Sequence, residues 1–449
     1  MPKDTSTKNK IRFVTAASLF DGHDAAINIM RRIFQSSGSE VIHLGHNRSV
    51  AEIVNAALQE DVQGIAVSSY QGGHVEYLKY MIDMLRENDG GDIRVFAGGG
   101  GVIIPDEIRE LEDYGVTRIY SPEDGQKMGL QGMIRDSLQR SDFDPGAQAP
   151  KDMESLKKGD RRTLSRIITT IENGTLDSGL LADILKASEQ AENKTPVLGI
   201  TGTGGSGKSS LTDEIIRRFR LGQNDRLRIA IIAVDPTRRR TGGALLGDRI
   251  RMNAIDHPNI YMRSVATRDA SGEVPDYIRD IVSACRVSGF DFIIVETPGI
   301  GQGDAGIVPL VDTSLYVMTP EFGAQSQLEK IDMLDFAEFI AINKFDRKGA
   351  EDALRDVRKQ VQRNREAFST PLEEMPVYGT TASRFNDDGV TALYKGLLAR
   401  LDELGMKVGD DLLPGVTEKH VAGKIRQNNG TRRNVFLKVI SILNMCGLD

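Results

Sequence analysis

Cysteine is scarce in this sequence, and tryptophan is absent. The two cysteines, Cys285 and Cys446, lie far apart, which argues against a disulfide framework or a zinc site and favours a reducing cytoplasm. No apolar run approaches the roughly 18 residues that a membrane span requires. The first ten residues, MPKDTSTKNK, carry charges but no apolar stretch, so we expect no secretory signal.

Excess positive charge is lacking as well. The 449 residues have a formal net charge of −7, so we expect no general attraction to nucleic acid or to anionic membranes. Hydrophobic residues make up 39% of the chain and charged residues 27%, which is the balance of an ordinary globular protein. The length allows two or three domains.

Strand-like and helix-like segments alternate along most of the chain, which predicts an α/β fold. Over 1–145, five strand-like runs with amphipathic segments between them predict a flavodoxin-like doubly wound domain. A break rich in Pro and Gly, SDFDPGAQAPKD, and a helical pair predict a helical linker over 146–194. The alternation resumes in a second α/β domain, 195–408, with six strand-like runs: VLGIT, RIAIIAVD, FIIVET, TSLYVMT, FIAINK and MPVYGT. The remaining 409–449 is too short for a further domain.

The second domain contains a phosphate-binding motif. Residues 202–209, GTGGSGKS, fit G-x-x-x-x-G-K-[ST] and stand between the strand-like VLGIT and the helix-like SSLTDEIIRRF. The amides of such a loop cradle phosphate, Lys208 reaches the β- and γ-phosphates, and the Ser209 hydroxyl is placed for Mg²⁺. The strand-like segment before the motif and the helix-like segment after it argue against the alternative, a glycine-rich turn that binds no phosphate. The predicted nucleotide-binding residues here are Gly202, Gly204, Gly205, Ser206, Gly207, Lys208, Ser209 and Ser210.

Guanine recognition is predicted from an N-K-x-D motif at the end of the strand-like FIAI. Its members are Asn343, Lys344, Phe345 and Asp346. The Asp carboxylate accepts hydrogen bonds from guanine N1–H and N2–H₂, and adenine lacks this pair of donors. Alone the motif would be a solvated polar loop, but downstream of a P-loop it predicts GTP as the substrate. The loop 381–383, which follows MPVYGT, is a candidate for the base side of the site.

An acidic residue at a strand end, followed by glycine three residues later, is typical of the switch II region of GTPases. FIIVETPGIGQGD supplies Glu296 and Gly299 in this pattern. We expect Glu296 to act on Mg²⁺ directly or through water, and the Gly299 N–H to contact the γ-phosphate. The loop after Asp235 contains Asp248 and the arginines 238–240, which form either a solvated charged face or a source of a phosphate-stabilising arginine. The predicted catalytic residues are Lys208, Glu296 and Gly299.

The loop between the P-loop and switch II contains V-D-P, T-G-G and L-G-D, and switch II itself reads E-T-x-G-x-G-Q. Together with the P-loop and N-K-x-D, this set of motifs resembles the metallochaperone GTPases that escort adenosylcobalamin to acyl-CoA mutases. The resemblance covers about residues 197–404 and implies a nucleotide contact from Arg251. The chain has GTGG where the family usually has GPPG, and Pro298 within switch II. Both changes keep the required glycines. The implied Mg²⁺ ligands are Ser209, Asp235, Asp248, Glu296 and, during the switch cycle, Thr297.

The first strand-to-helix loop contains DGHD, in which His23 follows Asp21 by two positions. Ligands of doubly wound folds bind at this edge of the sheet. A histidine can ligate cobalt when an acceptor such as Asp21 holds its other ring nitrogen, although D-x-H alone is more simply a solvated loop. Ser68 ends the third strand-like run, and Gly98 and Gly99 end the fourth. Small residues at this edge leave a slot beside the sheet.

This triplet of motifs resembles the base-off/His-on cobalamin-binding domain, with its D-x-H-x-x-G, S-x-L and G-G pattern, over about residues 11–140. The resemblance implies that His23 is the axial cobalt ligand and that the slot takes the dimethylbenzimidazole tail. Ala26 stands where the first motif has glycine and leaves room for the tail. Tyr70 stands where the second has leucine, and there it narrows the slot or stacks on the tail.

The order of the two units resembles the fused isobutyryl-CoA mutase family, in which a (β/α)₈ acyl-CoA-binding barrel follows. The resemblance implies adenosylcobalamin, Mg²⁺ and GTP, a homodimer, and the interconversion of isobutyryl-CoA and n-butyryl-CoA, with the GTPase gating cofactor loading. A barrel needs about 250 residues, so we expect 409–449 to begin a linker to a missing barrel, and this chain alone to lack mutase activity. The alternatives are a free-standing GTP-regulated cobalamin carrier that serves a separate mutase subunit, and a corrinoid sensor with a nucleotide switch.

Overall fold

The computed structural model describes residues 7–150, 152–191, 195–268, 274–299, 305–416 and 419–420. The linker predicted over 409–449 therefore lies mostly outside the described residues. Within the ranges that are described, none of the helices combines the length and the apolar character needed to cross a membrane.

The first unit alternates strand and helix, as the sequence pattern predicts. Its elements are β1 (Arg12–Ser18), α1 (Asp24–Ser36), β2 (Glu40–Arg48), α2 (Val50–Gln59), β3 (Gly64–Ser68), α3 (His74–Glu87), β4 (Arg94–Gly98), α4 (Pro105–Tyr114), β5 (Arg118–Tyr120) and α5 (Pro122–Arg140). The strands are parallel in the order β5-β4-β3-β1-β2, which confirms the flavodoxin-like prediction. β1 is buried along its whole length, as expected where helices cover both faces of a parallel sheet.

Three helices follow: α6 (Glu154–Lys157), α7 (Arg161–Asn173) and α8 (Ser178–Gln190). The sequence predicts a helical linker over 146–194, and the segment is helical. Its apolar side chains nevertheless belong to a core, because Leu164, Ile168 and Ile184 pack against strand residues of the second sheet. The helices therefore cover one face of the second unit rather than spacing the two units apart.

The second unit contains a seven-stranded parallel sheet. Its elements are β6 (Val197–Gly202), α9 (Lys208–Gly222), β7 (Ile229–Asp235), β8 (Ala244–Leu246), β9 (Ile260–Ala266), α10 (Ile278–Val287), β10 (Phe292–Glu296), β11 (Thr313–Met318), α11 (Gln325–Leu328), α12 (Met333–Phe336), β12 (Phe339–Asn343), α13 (Ala350–Asn364), β13 (Val377–Thr380) and α14 (Asp388–Glu403). The strand order is β13-β12-β11-β6-β10-β7-β9. The sequence pattern predicts six of these strands and misses β9, because Arg263 interrupts its apolar run. Arg263 is buried there and pairs with Glu172 of α7.

One short strand, β8, joins the first sheet instead of the second. It pairs in parallel with β2, beginning at Glu40↔Ala244, and extends that sheet to six strands. Beside it, Arg12 of β1 lies 2.7 Å from Glu40 and 2.8 Å from Glu172 of α7, and all three side chains are buried. Burial opposes the charge of Arg12, but these carboxylates hold the pKa of Arg12 above its ordinary value. The two units thus share a sheet and a buried ionic network.

Candidate functional site

Asp21 and His23 lie in the loop between β1 and α1, at the carboxyl edge of the first sheet. The Asp21 carboxylate is buried, and both of its oxygens are used. Oδ1 accepts from the backbone N–H and the ring Nδ1 of His23, each at 2.8 Å, and Oδ2 accepts from the backbone N–H of Tyr70 at 2.7 Å. Burial alone would raise the pKa of Asp21, but these donors hold it below its ordinary value. Because the side chain of His23 is 64% exposed, its Nε2 remains for a ligand.

An apolar cavity of about 400 Å³ opens beside this loop, between α1, the ends of β3 and β4, and α5. Gly98 and Gly99 line it, as the sequence predicts. A Cβ on Gly99 would lie 2.3 Å from the carbonyl oxygen of Ser69, whereas a Cβ on Gly98 would meet nothing closer than 3.8 Å. Close backbone packing therefore requires glycine at position 99, while glycine at position 98 keeps the cavity wide.

One buried polar group of this cavity has no partner among the residues that the structure describes. The Ser68 hydroxyl, at the end of β3, is inaccessible to solvent and makes no hydrogen bond to any of them. Leaving such a group unsatisfied costs about 1–3 kcal/mol, so it suits an atom of a ligand. Tyr70 also lines the cavity, and its ring centroid lies 5.5 Å from that of His23. An apolar, partly aromatic slot with a buried hydroxyl left for a ligand fits a flat heteroaromatic ring such as the cobalamin tail.

In the second unit, the P-loop between β6 and α9 closes around the side chain of Lys208. Its Nζ donates to the carbonyl oxygens of Gly202 and Thr203, at 3.1 and 3.3 Å. Gly202 has a φ of 149°, and a Cβ there would lie 1.9 Å from a carbonyl oxygen of β11. Gly299 of switch II packs closely against the P-loop, since a Cβ on it would lie 2.2 Å from Lys208 Nζ. The structure therefore brings the P-loop and switch II into contact.

An acidic cluster surrounds the first turn of α9. The Ser209 hydroxyl lies 2.8 Å from both Asp248 Oδ1 and Glu296 Oε1, and Thr212, which the sequence analysis missed, donates to Glu296 Oε2 at 2.8 Å. Burial, followed by the charge of Asp248, raises the pKa of Glu296 to about 7. Burial, followed by the charges of Asp248 and Glu296, also raises the pKa of Asp235. Its Oδ2 is buried and has no hydrogen-bond partner within the described part of the chain. These oxygens suit a hard divalent cation such as Mg²⁺.

The protein supplies only part of a coordination shell. Among the described residues, no three acidic, histidine or cysteine side chains converge tightly enough to complete a metal centre. Mg²⁺ in nucleotide sites usually takes one or two carboxylates and completes its shell with phosphate and water, so the cluster fits a site that a nucleotide finishes. Thr297, the further predicted ligand, donates its hydroxyl to Thr201 Oγ1 at 2.8 Å and is not brought into the cluster.

A second cavity, of about 430 Å³, gathers the N-K-x-D residues. Asn343 Nδ2 donates to the Ser206 carbonyl at 2.8 Å, and Asn343 Oδ1 accepts from the Ala382 N–H at 3.1 Å. Lys344 Nζ donates to the Gly205 carbonyl at 2.6 Å. Asp346 is exposed at the cavity wall. Asn343 thus ties the P-loop to the candidate base loop 381–383. The wall also includes Ser210, Arg251 and Ser383.

Phe345, the arginines 238–240 and Asp213 lie near the nucleotide site, and only Asp213 lines the second cavity. Phe345 is buried, and its backbone N–H donates to the Thr380 carbonyl at 3.0 Å, so it supports the base loop and does not line the cavity. The arginines 238–240 are exposed in the turn before β8. Asp213, which the sequence analysis missed, lines the second cavity. Asp213 follows Lys208 by five residues and lies outside the P-loop motif, so the motif does not predict it.

The fold and the two sites define a P-loop GTPase preceded by a cobalamin-binding domain. Two family models match this division: the B12 binding domain matches residues 11–123, and the methylmalonyl-CoA mutase-associated GTPase MeaB matches residues 164–405. The second match covers more than half of the chain. The chain belongs to the MeaB family of methylmalonyl-CoA mutase-associated GTPases and carries a B12 binding domain ahead of the GTPase.

The chain is also similar to curated fused proteins. A fused isobutyryl-CoA mutase of Cupriavidus metallidurans is 67% identical over 93% of this chain and 38% of its own length. That of Nocardia farcinica is 57% identical over 96% of this chain and 40% of its own length. Among solved structures, an LAO/AO transport system kinase matches 65% of this chain and 84% of its own, with 20% identity and a TM-score of 0.38. The chain therefore spans about two fifths of the length of the curated relatives it matches.

Proposed function

We propose that this chain binds adenosylcobalamin and hydrolyses GTP with Mg²⁺, as part of an acyl-CoA mutase of the fused isobutyryl-CoA mutase type. The observation that supports this most is the pair Asp21 and His23. A buried carboxylate holds one ring nitrogen of an exposed imidazole beside an apolar cavity. The arrangement provides a nitrogen ligand for cobalt and a separate slot for the displaced tail.

In the first unit, His23 Nε2 would ligate cobalt, and Asp21 would fix the orientation of the ring. The Ser68 hydroxyl would donate to the tail, while Gly98 and Gly99 would keep the slot open. Adenosylcobalamin supplies a carbon-centred radical to the mutase reaction. The residues of this chain bind and orient that cofactor.

In the second unit, the P-loop amides and Lys208 hold the β- and γ-phosphates, and the Gly299 N–H contacts the γ-phosphate. Mg²⁺, when bound, neutralises charge that develops on the phosphates. Asp346 accepts from guanine. The proposed Mg²⁺ ligands are Ser209, Asp235, Asp248 and Glu296, and the remaining proposed nucleotide contacts are Gly202, Gly204, Gly205, Ser206, Gly207, Ser210, Arg251, Asn343 and Lys344.

The relatives named fused isobutyryl-CoA mutase support a finer proposal. The full-length protein interconverts isobutyryl-CoA and n-butyryl-CoA as a cytoplasmic homodimer, with the substrate held in a (β/α)₈ barrel and the GTPase gating cofactor loading. These relatives contain both units within one longer chain, so a free-standing carrier is not favoured. Isomerase activity restored by adding a separately produced barrel would instead support the carrier.

Cobalt ligation is tested by titrating the protein with adenosylcobalamin and recording the visible absorption spectrum. Wild type should give a base-off spectrum with nitrogen ligation from the protein, and His23→Ala should lose that ligation and bind at least tenfold more weakly. His46→Ala is the matched control, because His46 is an exposed histidine of the same unit. An unaltered affinity and spectrum for His23→Ala would defeat the assignment.

Guanine selection is tested with Asp346→Asn. The amide cannot accept from two donors as the carboxylate does, but its NH₂ can donate to the C2 carbonyl of xanthine. We expect kcat/KM for GTP to fall by about 10²-fold and that for xanthosine triphosphate to rise, since a site that hydrogen-bonds its substrate discriminates strongly against a base whose donors and acceptors do not match. A variant that hydrolyses both nucleotides as wild type does would refute the role of Asp346.

A further inference from the structure

The cobalamin-binding unit reaches the nucleotide site through the segment that follows β8. Pairing with β2 holds this strand in the first sheet, and only Gly247 separates its last residue, Leu246, from Asp248. Asp248 Oδ1 accepts from the Ser209 hydroxyl at 2.8 Å. A carboxylate of the nucleotide site is therefore two residues from a strand that belongs to the sheet of the other unit.

The residue after Asp248 is anchored on the cobalamin-binding unit. Arg249 is buried, and its Nε and Nη2 both donate to Glu60 Oε1 at 3.1 Å. Nη2 also donates to Gln59 Oε1 at 3.1 Å and to the Met262 carbonyl at 2.7 Å. Several charge-assisted bonds to one guanidinium fix its orientation as well as its charge. Asp248 thus lies between two fixed points: the pairing of β8 with β2 before it and the bonds of Arg249 to Glu60 after it.

Glu60 lies just after the last residue of α2 and is fully buried. Its carboxylate also accepts from the backbone N–H and the hydroxyl of Ser264 in β9, at 3.0 Å each. A buried carboxylate that loses its charged partner is strongly disfavoured. Arg249, at 3.1 Å, is the closer charged partner of Glu60, because Arg12 lies 3.9 Å away. The Arg249 side chain is therefore retained on Glu60 while the two units are docked.

We infer that Glu60 of the cobalamin-binding unit is a positioning residue of the GTPase, which acts through Arg249 to hold Asp248 in the cation-binding arrangement. This inference rests on the proposed function, because it assumes that Asp248 serves Mg²⁺ in the nucleotide site. It adds that Asp248 is held in place for the cation only when the two units are docked. Glu60 lies 189 positions from Arg249 in the chain, and it contacts neither P-loop nor base loop among its described hydrogen bonds.

The test measures Mn²⁺ binding to the protein–GDP complex by electron paramagnetic resonance, with the whole 449-residue chain. Loss of a partner that bonds a metal ligand typically weakens metal affinity by about 10–100-fold. Glu60 acts one residue further out, through Arg249, so Glu60→Gln should raise the Mn²⁺ dissociation constant by the low end of that range, about tenfold. The affinity for GDP in EDTA should stay within about twofold, because the P-loop and base loop are untouched. Hydrolysis of GTP should recover as Mg²⁺ is raised.

A double-mutant cycle identifies the route of the effect. If Glu60 acts through Arg249, then Glu60→Gln combined with Arg249→Gln should weaken Mn²⁺ binding no more than either single change, so the two effects are non-additive. Glu172→Gln is the matched control, since Glu172 is an equally buried carboxylate in the same interface, paired with Arg12 and Arg263. It should lower stability without changing Mn²⁺ affinity.

Three results would overturn the inference: an unchanged Mn²⁺ affinity in Glu60→Gln, additive effects in the cycle, or an equal loss in Glu172→Gln. If Glu60→Gln does not fold, Gln59→Ala removes one bond to Arg249 and should weaken Mn²⁺ binding about threefold, and no change would again overturn the inference. Failure of the wild type to bind GDP with Mn²⁺ would instead refute the proposed function.

Discussion

Replacing Glu296 by Gln should stabilise the protein in the absence of metal and nucleotide. Its two carboxylate oxygens are buried and lie 2.8 Å from the hydroxyls of Ser209 and Thr212. An amide of the same shape keeps both contacts, because a hydroxyl can donate or accept. The substitution therefore removes the buried charge and little else.

The size of the effect follows from the pKa of Glu296. Folding raises that pKa from 4.5 to about 7, through burial and the charge of Asp248. The folded protein retains a proton that the unfolded chain gives up, so the free energy of unfolding falls as pH rises from about 4.5 through about 7. At 1.36 kcal/mol per pH unit, the cost to wild type is about 3 kcal/mol at pH 8 and under about 1 kcal/mol at pH 5. Glu296→Gln should recover that difference.

The assay is urea unfolding of EDTA-treated protein at pH 5 and pH 8. Glu189→Gln, an exposed change on α8, is the control and should alter stability little at either pH. Mg²⁺ with GDP should stabilise the wild type, as any ligand of the folded state does, and should stabilise Glu296→Gln much less. A variant that is less stable than wild type at pH 8 without metal, or equally stabilised at both pH values, would refute the reasoning.

Four other substitutions test the two sites. Gly99→Ala places a Cβ 2.3 Å from a carbonyl oxygen and should cost about 1–3 kcal/mol of stability by overpacking. Gly98→Ala should leave thermal stability near that of wild type while weakening cobalamin binding. Equal stability losses in the two variants would contradict the packing argument. Asp21→Asn should weaken cobalamin binding about 10–100-fold by releasing the ring of His23, the proposed cobalt ligand. Titration by absorbance would measure this change, and wild-type affinity would exclude that role of Asp21. Gly299→Ala places a Cβ 2.2 Å from Lys208 Nζ and should lower kcat for GTP by about 10²-fold, which is the scale of losing one phosphate-stabilising group. Normal turnover would show that the Lys208 side chain can move aside without loss of function.

The sequence by itself determines the local parts of this protein. P-loop geometry depends on glycines and a lysine within eight consecutive residues, and the Asp21–His23 contact is closed within three. Strand and helix alternation follows from the period of apolar residues, which predicts both α/β units. For the same reason β9 is missed: Arg263 breaks its apolar pattern, and the compensating Glu172 lies 91 positions away.

Only the tertiary structure decides how the two units meet. The addition of β8 to the first sheet, the packing of α7 and α8 against the second, and the anchoring of Arg249 on Glu60 all join segments that are far apart in the chain. No periodicity or motif records such pairings, because each depends on which surfaces the folded units present to each other. The nucleotide motifs of the GTPase can therefore be located from sequence, whereas the support that the cobalamin-binding unit gives to Asp248 becomes visible only when both units are folded and docked.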